Sequence, residues 1–185
     1  MPIAYQIVQI NRLKPFTQTN YPHLNQHFVI NVIAACGHNR VIGNNGKLPW
    51  SIREDWEYFL ETTKDGILIM GRRCYEEFES FASGRDVIAL SRDPSKSFEH
   101  ARKAESLAEA IEACKKKSKT AWICGGREIY EESLPFADNL YLTLIDAPFA
   151  GDVFFPPWEE IFKQEHSRSR MRTKEYDLTF LILEK

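Results

Sequence analysis

The stretch Thr120–Tyr130, TAWICGGREIY, decides how this chain folds. Its first half, Thr120–Cys124, is apolar and of strand length. Its second half continues with helical spacing through Ser133. Gly125 and Gly126 stand between the two. Paired glycines straight after a strand leave backbone amides bare, and the helix that follows aims its N-terminal N–H groups and dipole at the same spot. Strand, bare turn and helix in that order make half of a β–α–β unit. Such a turn lies at the carboxyl edge of a sheet, where a phosphate can settle. Taken alone it is more often a tight corner, and it matches neither a P-loop nor a G-x-G-x-x-G fingerprint.

A second junction of this kind is Ile69-Met70-Gly71-Arg72-Arg73-Cys74. The strand Ile67–Met70 precedes it and Gly71 opens a helix. The glycine permits close backbone approach, and the two arginines are fork-shaped phosphate donors. Upstream, Phe28–Cys36 (FVINVIAAC) is a mostly apolar run of strand length. Residues 37–50 follow with Gly37, Gly43, Asn44, Asn45, Gly46 and Pro49, which is loop chemistry. Ser51-Ile52-Arg53-Glu54 fits a capping box, and Trp56, Phe59, Leu60 and Thr63 then recur at helical spacing. Downstream, Asp86–Leu90 reads as a strand ended by the Ser91-Arg92-Asp93-Pro94 turn. A second box, Ser106 to Glu109, opens a helix to about Lys116. Leu140–Ile145 is a strand, and 161–171 with 176–184 read as a hairpin of two long strands.

Strands alternating with short helices predict an α/β fold with a mainly parallel central sheet, flanking helices and a C-terminal antiparallel hairpin. A chain of 185 residues suits one such domain, placed at 28–185. Residues 1–27 hold no acid and two bases, Arg12 and Lys14, among many Gln and Asn. They are expected to be a flexible extension or the product of an upstream start codon, with an organelle signal as the lesser alternative.

The net charge of −2 gives no global field toward nucleic acid or an anionic membrane. The basic run Lys115–Lys117 reads as a solvated helix end. No segment approaches the roughly 18 apolar residues of a membrane span. Cys36, Cys74, Cys114 and Cys124 form no C-x-x-C pair and read as reduced thiols of a cytoplasmic protein. His23 and His27 have helical spacing but lie in a Pro/Asn/Gln-rich stretch, so no metal is expected.

Asp55 stands in the first helical turns after Leu48-Pro49-Trp50. On one reading it is a surface acid complementing the helix N-terminus. On the other it shares a face with Phe59, four residues on, and sits against apolar surface. There it could bind a cationic or amidine-like ring, with its pKa raised by desolvation.

The order Val41-Ile42-Gly43, Leu48-Pro49-Trp50, Asp55, Phe59, Ile69-Met70-Gly71-Arg72, Gly84-Arg85, Leu90-Ser91-Arg92, Gly125-Gly126, Ile129-Tyr130, Tyr141-Leu142-Thr143 and Gly151-Asp152 resembles the dihydrofolate reductase family across residues 28–185. Each motif is weak, but their order and spacing together are specific. The resemblance implies an NADPH-dependent oxidoreductase that makes tetrahydrofolate from dihydrofolate for one-carbon and thymidylate metabolism. It implies antifolate binding too, in a protein expected to be a monomer.

Residue by residue, it implies that Asp55, Trp50 and Thr143 are catalytic. Asp55 would accept hydrogen bonds from the pterin and help protonate N5, Thr143 would join its network, and Trp50 would hold a water near it. Ile33, Ala34, Trp56 and Phe59 would wall the substrate rings, and Arg85 would clamp the glutamate α-carboxylate. Cofactor contacts would come from Ala35, Ile42, Gly43, Gly46, Gly71, Arg72, Arg73, Cys74, Ser91, Arg92, Cys124, Gly125, Gly126, Arg127, Glu128, Ile129 and Tyr130. Ser91 and Arg92 would sit beside the 2′-phosphate, and Gly125-Gly126 would be joined by a cis peptide. Loop 37–50 would be the lid over the nicotinamide, braced by Asp152.

Some positions depart from the family pattern. Cys74 replaces the usual Thr or Ser, Cys124 a commoner aliphatic, and Trp56 a Leu or Phe. The segment Glu79–Ser83 replaces a proline-bearing loop. Trp56 and Ala82 are expected to form a large-for-small exchange that reshapes the inhibitor channel. Two rivals are the related reductase of riboflavin synthesis, which lacks the Leu-Pro-Trp and carboxylate pairing, and an inactive paralogue that binds without turnover.

Overall fold

Residues 30–37 carry apolar side chains in both directions, and only a strand covered on two sides can bury them. That strand, β1 (Ile30–Gly37), lies in the middle of an eight-stranded sheet among the described residues. The computed structural model describes residues 28–185; the expected N-terminal extension, His23 and His27 lie outside them. The order of elements is β1, β2 (Val41–Gly43), α1 (Arg53–Thr62), β3 (Ile67–Gly71), α2 (Arg72–Phe78) and a 3-10 turn, Glu79–Phe81. Then come β4 (Val87–Leu90), β5 (Arg102–Ala104), α3 (Leu107–Lys116), β6 (Ala121–Ile123), α4 (Arg127–Ser133), β7 (Asn139–Ile145), β8 (Val153–Phe154), β9 (Gln164–Arg172) and β10 (Asp177–Glu184).

The sheet runs β5-β4-β3-β6-β1-β7-β10-β9. The pairs from β5 through β7 are parallel, and β10 pairs antiparallel with both β7 and β9. This is the mainly parallel sheet with a closing hairpin that the sequence pattern implies. The short strands β2 and β8 pair beside it. The helices divide between the faces. One core holds Tyr58 of α1 and Tyr75 and Phe78 of α2, with Met70, Trp122 and Phe180 from the sheet. The other holds Leu107, Ala110 and Ile111 of α3 and Ile129 and Tyr130 of α4, with Val32, Leu140 and Leu142. Burying each such large side chain contributes about 1.5–3 kcal/mol. No helix among the described residues is long and apolar enough to cross a membrane.

Two helix starts contrast. At α3 the Ser106 hydroxyl accepts from Glu109 N–H at 3.2 Å, as a capping residue should. The returning Glu109 carboxylate takes the Glu105 amide at 2.8 Å, one residue earlier than a reciprocal box requires. At α1 the expected Ser51 box does not form. The first helical carbonyl is that of Ile52, which accepts from Trp56 N–H at 3.1 Å. Ser51 is therefore one position outside the cap, and no side chain bonds the helix start. The buried Ile52 side chain anchors the turn instead, and Glu54 and Asp55 complement the dipole.

Candidate active site

β1 and β7 run parallel with Ile33 beside Tyr141 and Ala35 beside Thr143. Neighbours in register point to the same face, so these four side chains look toward α1. Asp55, in the first turn of α1, meets them there. Burial pushes its carboxyl up from the ordinary 3.8 to about 6; the Thr143 and Trp50 side chains pull the other way by favouring the ionised form. Trp50 Nε1–H is buried near that carboxyl but too distant or oblique for a direct hydrogen bond of ordinary geometry. Asp55 is thus the desolvated acid of the second reading above.

The same alternation corrects one expectation. Ala34 points through the sheet into the opposite core, among the residues packed on α3 and α4. Its side chain cannot wall a ring held beside Asp55, whereas Ile33 and Ala35 can.

Further along α1 the surface turns aromatic. Trp56 stacks on Phe59 with ring centres 5.6 Å apart, and meets Phe78 at 5.9 Å and Phe81 edge-on at 4.7 Å. Phe81 remains 54% exposed, so it forms a lip at the mouth of this strip. Ala82 is fully buried. It belongs to the core against which Trp56 packs, and the ring of the 79–83 segment that meets the indole is Phe81, which sequence reasoning overlooked.

Arg85 closes the far end of α1. Its Nη2 donates to Thr63 O at 3.0 Å and Thr63 Oγ1 at 2.7 Å, and its Nη1 to Leu60 O at 3.3 Å. A cation suits a helix C-terminus, whose last carbonyls lack partners. Eight residues of helical rise separate Thr63 from Asp55, about 12 Å. Asp55, Phe59 and Arg85 thus lie along a single helix.

The two glycine junctions meet at the carboxyl edge of the sheet. Gly71 N–H donates to Gly125 O at 2.7 Å. A methyl group on Gly71 would lie 3.0 Å from Ile129 Cδ1, so a side chain there would have to push that Ile aside. Gly125 has φ +105°, a region that favours glycine, and the Tyr130 ring lies beneath it. Tyr130 Oη donates to Ile33 O at 2.9 Å, which ties this corner to β1. The Gly125–Gly126 peptide is cis. Beside Gly126, at the start of α4, the space is open. Cys74 Sγ donates to Cys124 O at 3.4 Å, and Cys124 Sγ to Trp122 O at 3.2 Å. Burial pushes both thiols up, Cys74 to about 12, so they stay protonated.

The charged groups on this edge are less free than the sequence suggests. Arg72 Nη1 is held by both Glu76 carboxylate oxygens at 2.9 Å, and Lys96 reaches the same carboxylate at 3.2 Å. Arg127 pairs with Glu131 at 2.8 Å. Arg73, Arg92 and Glu128 are exposed. Ser91 Oγ accepts from Asp93 N–H at 3.3 Å.

Loop 37–50 is partly ordered by β2, whose Val41 and Gly43 pair with Phe154 and Val153 of β8; Ile42, between them, is half-buried. Asp152 N–H donates to Gly43 O at 3.0 Å, and Asp152 Oδ1 accepts from Asn45 N–H at 3.2 Å. Gly46 supplies the left-handed corner at φ +81°. Glu77 of α2 accepts from Leu48 N–H at 3.1 Å. Sequence reasoning missed Glu77, because an acid next to another acid on a short helix reads as a solvated face.

Comparison with known proteins agrees with this geometry. The dihydrofolate reductase family model matches residues 29–185. Dihydrofolate reductase type 3 of Salmonella typhimurium is 38% identical over 141 residues, 76% of this chain and 86% of that protein. The Staphylococcus haemolyticus dihydrofolate reductase is 33% identical over 161 residues, 84% of this chain and 95% of its own. The structure of the Enterococcus faecalis dihydrofolate reductase complexed with NADP(H) and RAB-propyl superposes with a TM-score of 0.78 at 27% identity, covering 84% of this chain and 95% of that one. On its sequence, its sheet order and its two facing glycine junctions, the chain belongs to the dihydrofolate reductase family.

Proposed function

We propose that this chain reduces 7,8-dihydrofolate to 5,6,7,8-tetrahydrofolate with NADPH. The observation that carries the reading is the desolvated Asp55 carboxyl, flanked by Thr143 and Trp50 and set beside the glycine edge. Its raised pKa gives a carboxyl that can hold a proton near neutrality, as a general acid must. In the ionised form it accepts hydrogen bonds from the 2-amino group and N3 of the pterin. Thr143 and Trp50 keep it oriented, and an indole N–H turned toward it suits a water that relays the proton to N5.

The edge around Gly71, Gly125 and Gly126 fits a dinucleotide: backbone meets backbone there, and Gly126 leaves room above it. Gly71, Arg73, Cys74, Gly125, Gly126, Ile129 and Tyr130 would hold the diphosphate, with Arg72, Ser91 and Arg92 toward the 2′-phosphate. Bound NADPH supplies the hydride for pterin C6. The chain aligns and encloses: Ile33, Ala35, Trp56 and Phe59 wall the rings, Arg85 pairs with the glutamate carboxylate, and the lid with Ile42, Gly43 and Gly46 excludes water. Arg85 is pre-positioned by three acceptors and has further donors to present.

We place the protein in the cytoplasm as a monomer, the thiol chemistry of Cys36, Cys74, Cys114 and Cys124 suiting a reducing compartment. Diaminopyrimidine antifolates would pair with Asp55 as the pterin does. The test is loss of NADPH absorbance that depends on added dihydrofolate, with NADH a much poorer donor. Binding of both ligands without turnover would make the protein an inactive paralogue, and equal kcat/KM for the two donors would refute the 2′-phosphate assignment.

A further inference from the structure

The lid is tied down at two backbone amides three residues apart, each taken by a carboxylate from a different part of the fold. Asp152, in the connection from β7 to β8, accepts from Asn45 N–H. Glu77, on α2, accepts from Leu48 N–H at 3.1 Å. Between them the chain closes on itself: Asn44 N–H donates to Lys47 O at 2.8 Å and Lys47 N–H to Asn44 O at 3.2 Å. Residues 44–48 are therefore tied into one unit, bonded to Asp152 on one side and to Glu77 on the other.

The two anchors differ in kind. Asp152 belongs to the segment already paired with the lid through β8. Glu77 carries the lid's hydrogen bond to α2, the helix of the Gly71 junction, three residues beyond Cys74. That helix is a firm support, since Tyr75 and Phe78 are buried and Tyr75 Oη accepts from His100 N–H at 3.1 Å. Its neighbour Glu76 is occupied by Arg72 and Lys96, while Glu77 has no ion-pair partner among the described residues. Its carboxylate is engaged by the lid amide, a charge-assisted bond of the stronger kind.

We propose that Glu77 is a positioning residue that latches the lid to the cofactor helix, so that it governs how long NADPH stays bound beneath the closed loop. The bond is exposed to water, which limits its strength, so the effect belongs in the lifetime of the closed loop rather than in the stability of the fold. The proposal rests on the assignment of NADPH to the glycine edge, and its test keeps the two apart.

Three proteins are compared: wild type, Glu77→Ala and Glu77→Gln. Amide hydrogen exchange at residues 44–48 is measured without nucleotide, and NADPH release is followed by stopped-flow fluorescence. Glu77→Ala is expected to speed exchange at residues 44–48 and NADPH release by about three- to tenfold, with exchange in β1, β3 and β6 unchanged. Glu77→Gln keeps a carbonyl acceptor and should recover most of both. Unchanged exchange at residues 44–48 in Glu77→Ala would overturn the latch, as would a Gln variant that behaves like Ala. If wild type does not bind NADPH, the nucleotide assignment fails, and the exchange comparison still decides whether Glu77 holds the loop.

Discussion

Replacing Asp55 by Asn removes one ionisable group and keeps the shape of the site. In the folded protein its carboxyl rises from 3.8 to about 6, chiefly through burial. At about 1.4 kcal/mol for each tenfold change in proton affinity, that rise corresponds to ~3 kcal/mol. The sign follows from proton counting. Between these two pKa values the folded protein holds a proton that the unfolded chain has released, so stability falls as pH rises through that window. Above about pH 6 both states are ionised and the loss is complete. The amide of Asp55→Asn cannot titrate, so the variant escapes the loss. Its stability relative to wild type should therefore improve by up to ~3 kcal/mol between about pH 4 and about pH 7. Any fixed cost of turning an amide toward Thr143 shifts the whole curve without changing its slope. Urea unfolding of both ligand-free proteins across that range measures the difference. Parallel stability curves would show that Asp55 is not desolvated, and the argument for its role would go with them. Turnover should move oppositely: at pH 7 Asp55→Asn should lose about 10²–10⁴-fold in kcat, the usual worth of a positioned acid. The loss should shrink at low pH, where substrate arrives already protonated.

Arg85→Leu is expected to raise the dihydrofolate KM about 10–100-fold with little change in kcat, since each bond to a charged group is worth about 1.5–3 kcal/mol. A pterin substrate without the glutamate tail should be unaffected, and equal losses on the two substrates would reduce Arg85 to a structural part of α1. Trp56→Leu and Phe81→Leu, singly and together, should couple by about 0.5 kcal/mol or more in diaminopyrimidine Ki, as touching residues do; additive effects would mean that the edge-on pair does not shape the channel. Removing residues 1–27 should leave turnover intact, because every assigned residue lies in 28–185, and a large drop in Tm would show that the segment packs on the rest.

The legible parts of the fold were those where burial writes a continuous signal. β3, β6 and β7 are covered on both faces, and their apolar runs mark them in the sequence. β2, β5 and β8 are two or three residues long and hold their places through partners distant in sequence. No local pattern announces such strands. Asp55 and Arg85 could be placed by motif order, but their environment could not. The desolvation of Asp55 comes from β1, β7 and Trp50 together, and the partners of Arg85 lie 22 to 25 residues away. Ala34 was misassigned because adjacent strand residues face opposite layers, and a motif match carries no face. Glu77 and Phe81 escaped notice for a related reason. Each is defined by one contact across a chain reversal, while its own neighbourhood reads as ordinary surface.

The grip of Arg85 on α1 has an evolutionary consequence. At Leu60 the guanidinium reads a backbone carbonyl, which every amino acid supplies. At Thr63 it reads a carbonyl and a hydroxyl, and a point mutation can delete only the hydroxyl. Side chains along the helix are therefore free to drift while the arginine keeps its aim. If Arg85 clamps the substrate's tail as proposed, a lineage that changes Trp56 or Phe59 under selection by a drug keeps the backbone contacts that aim the clamp. Selection on the ring-lining side chains and selection on the grip of Arg85 thus act on different atoms of the same helix.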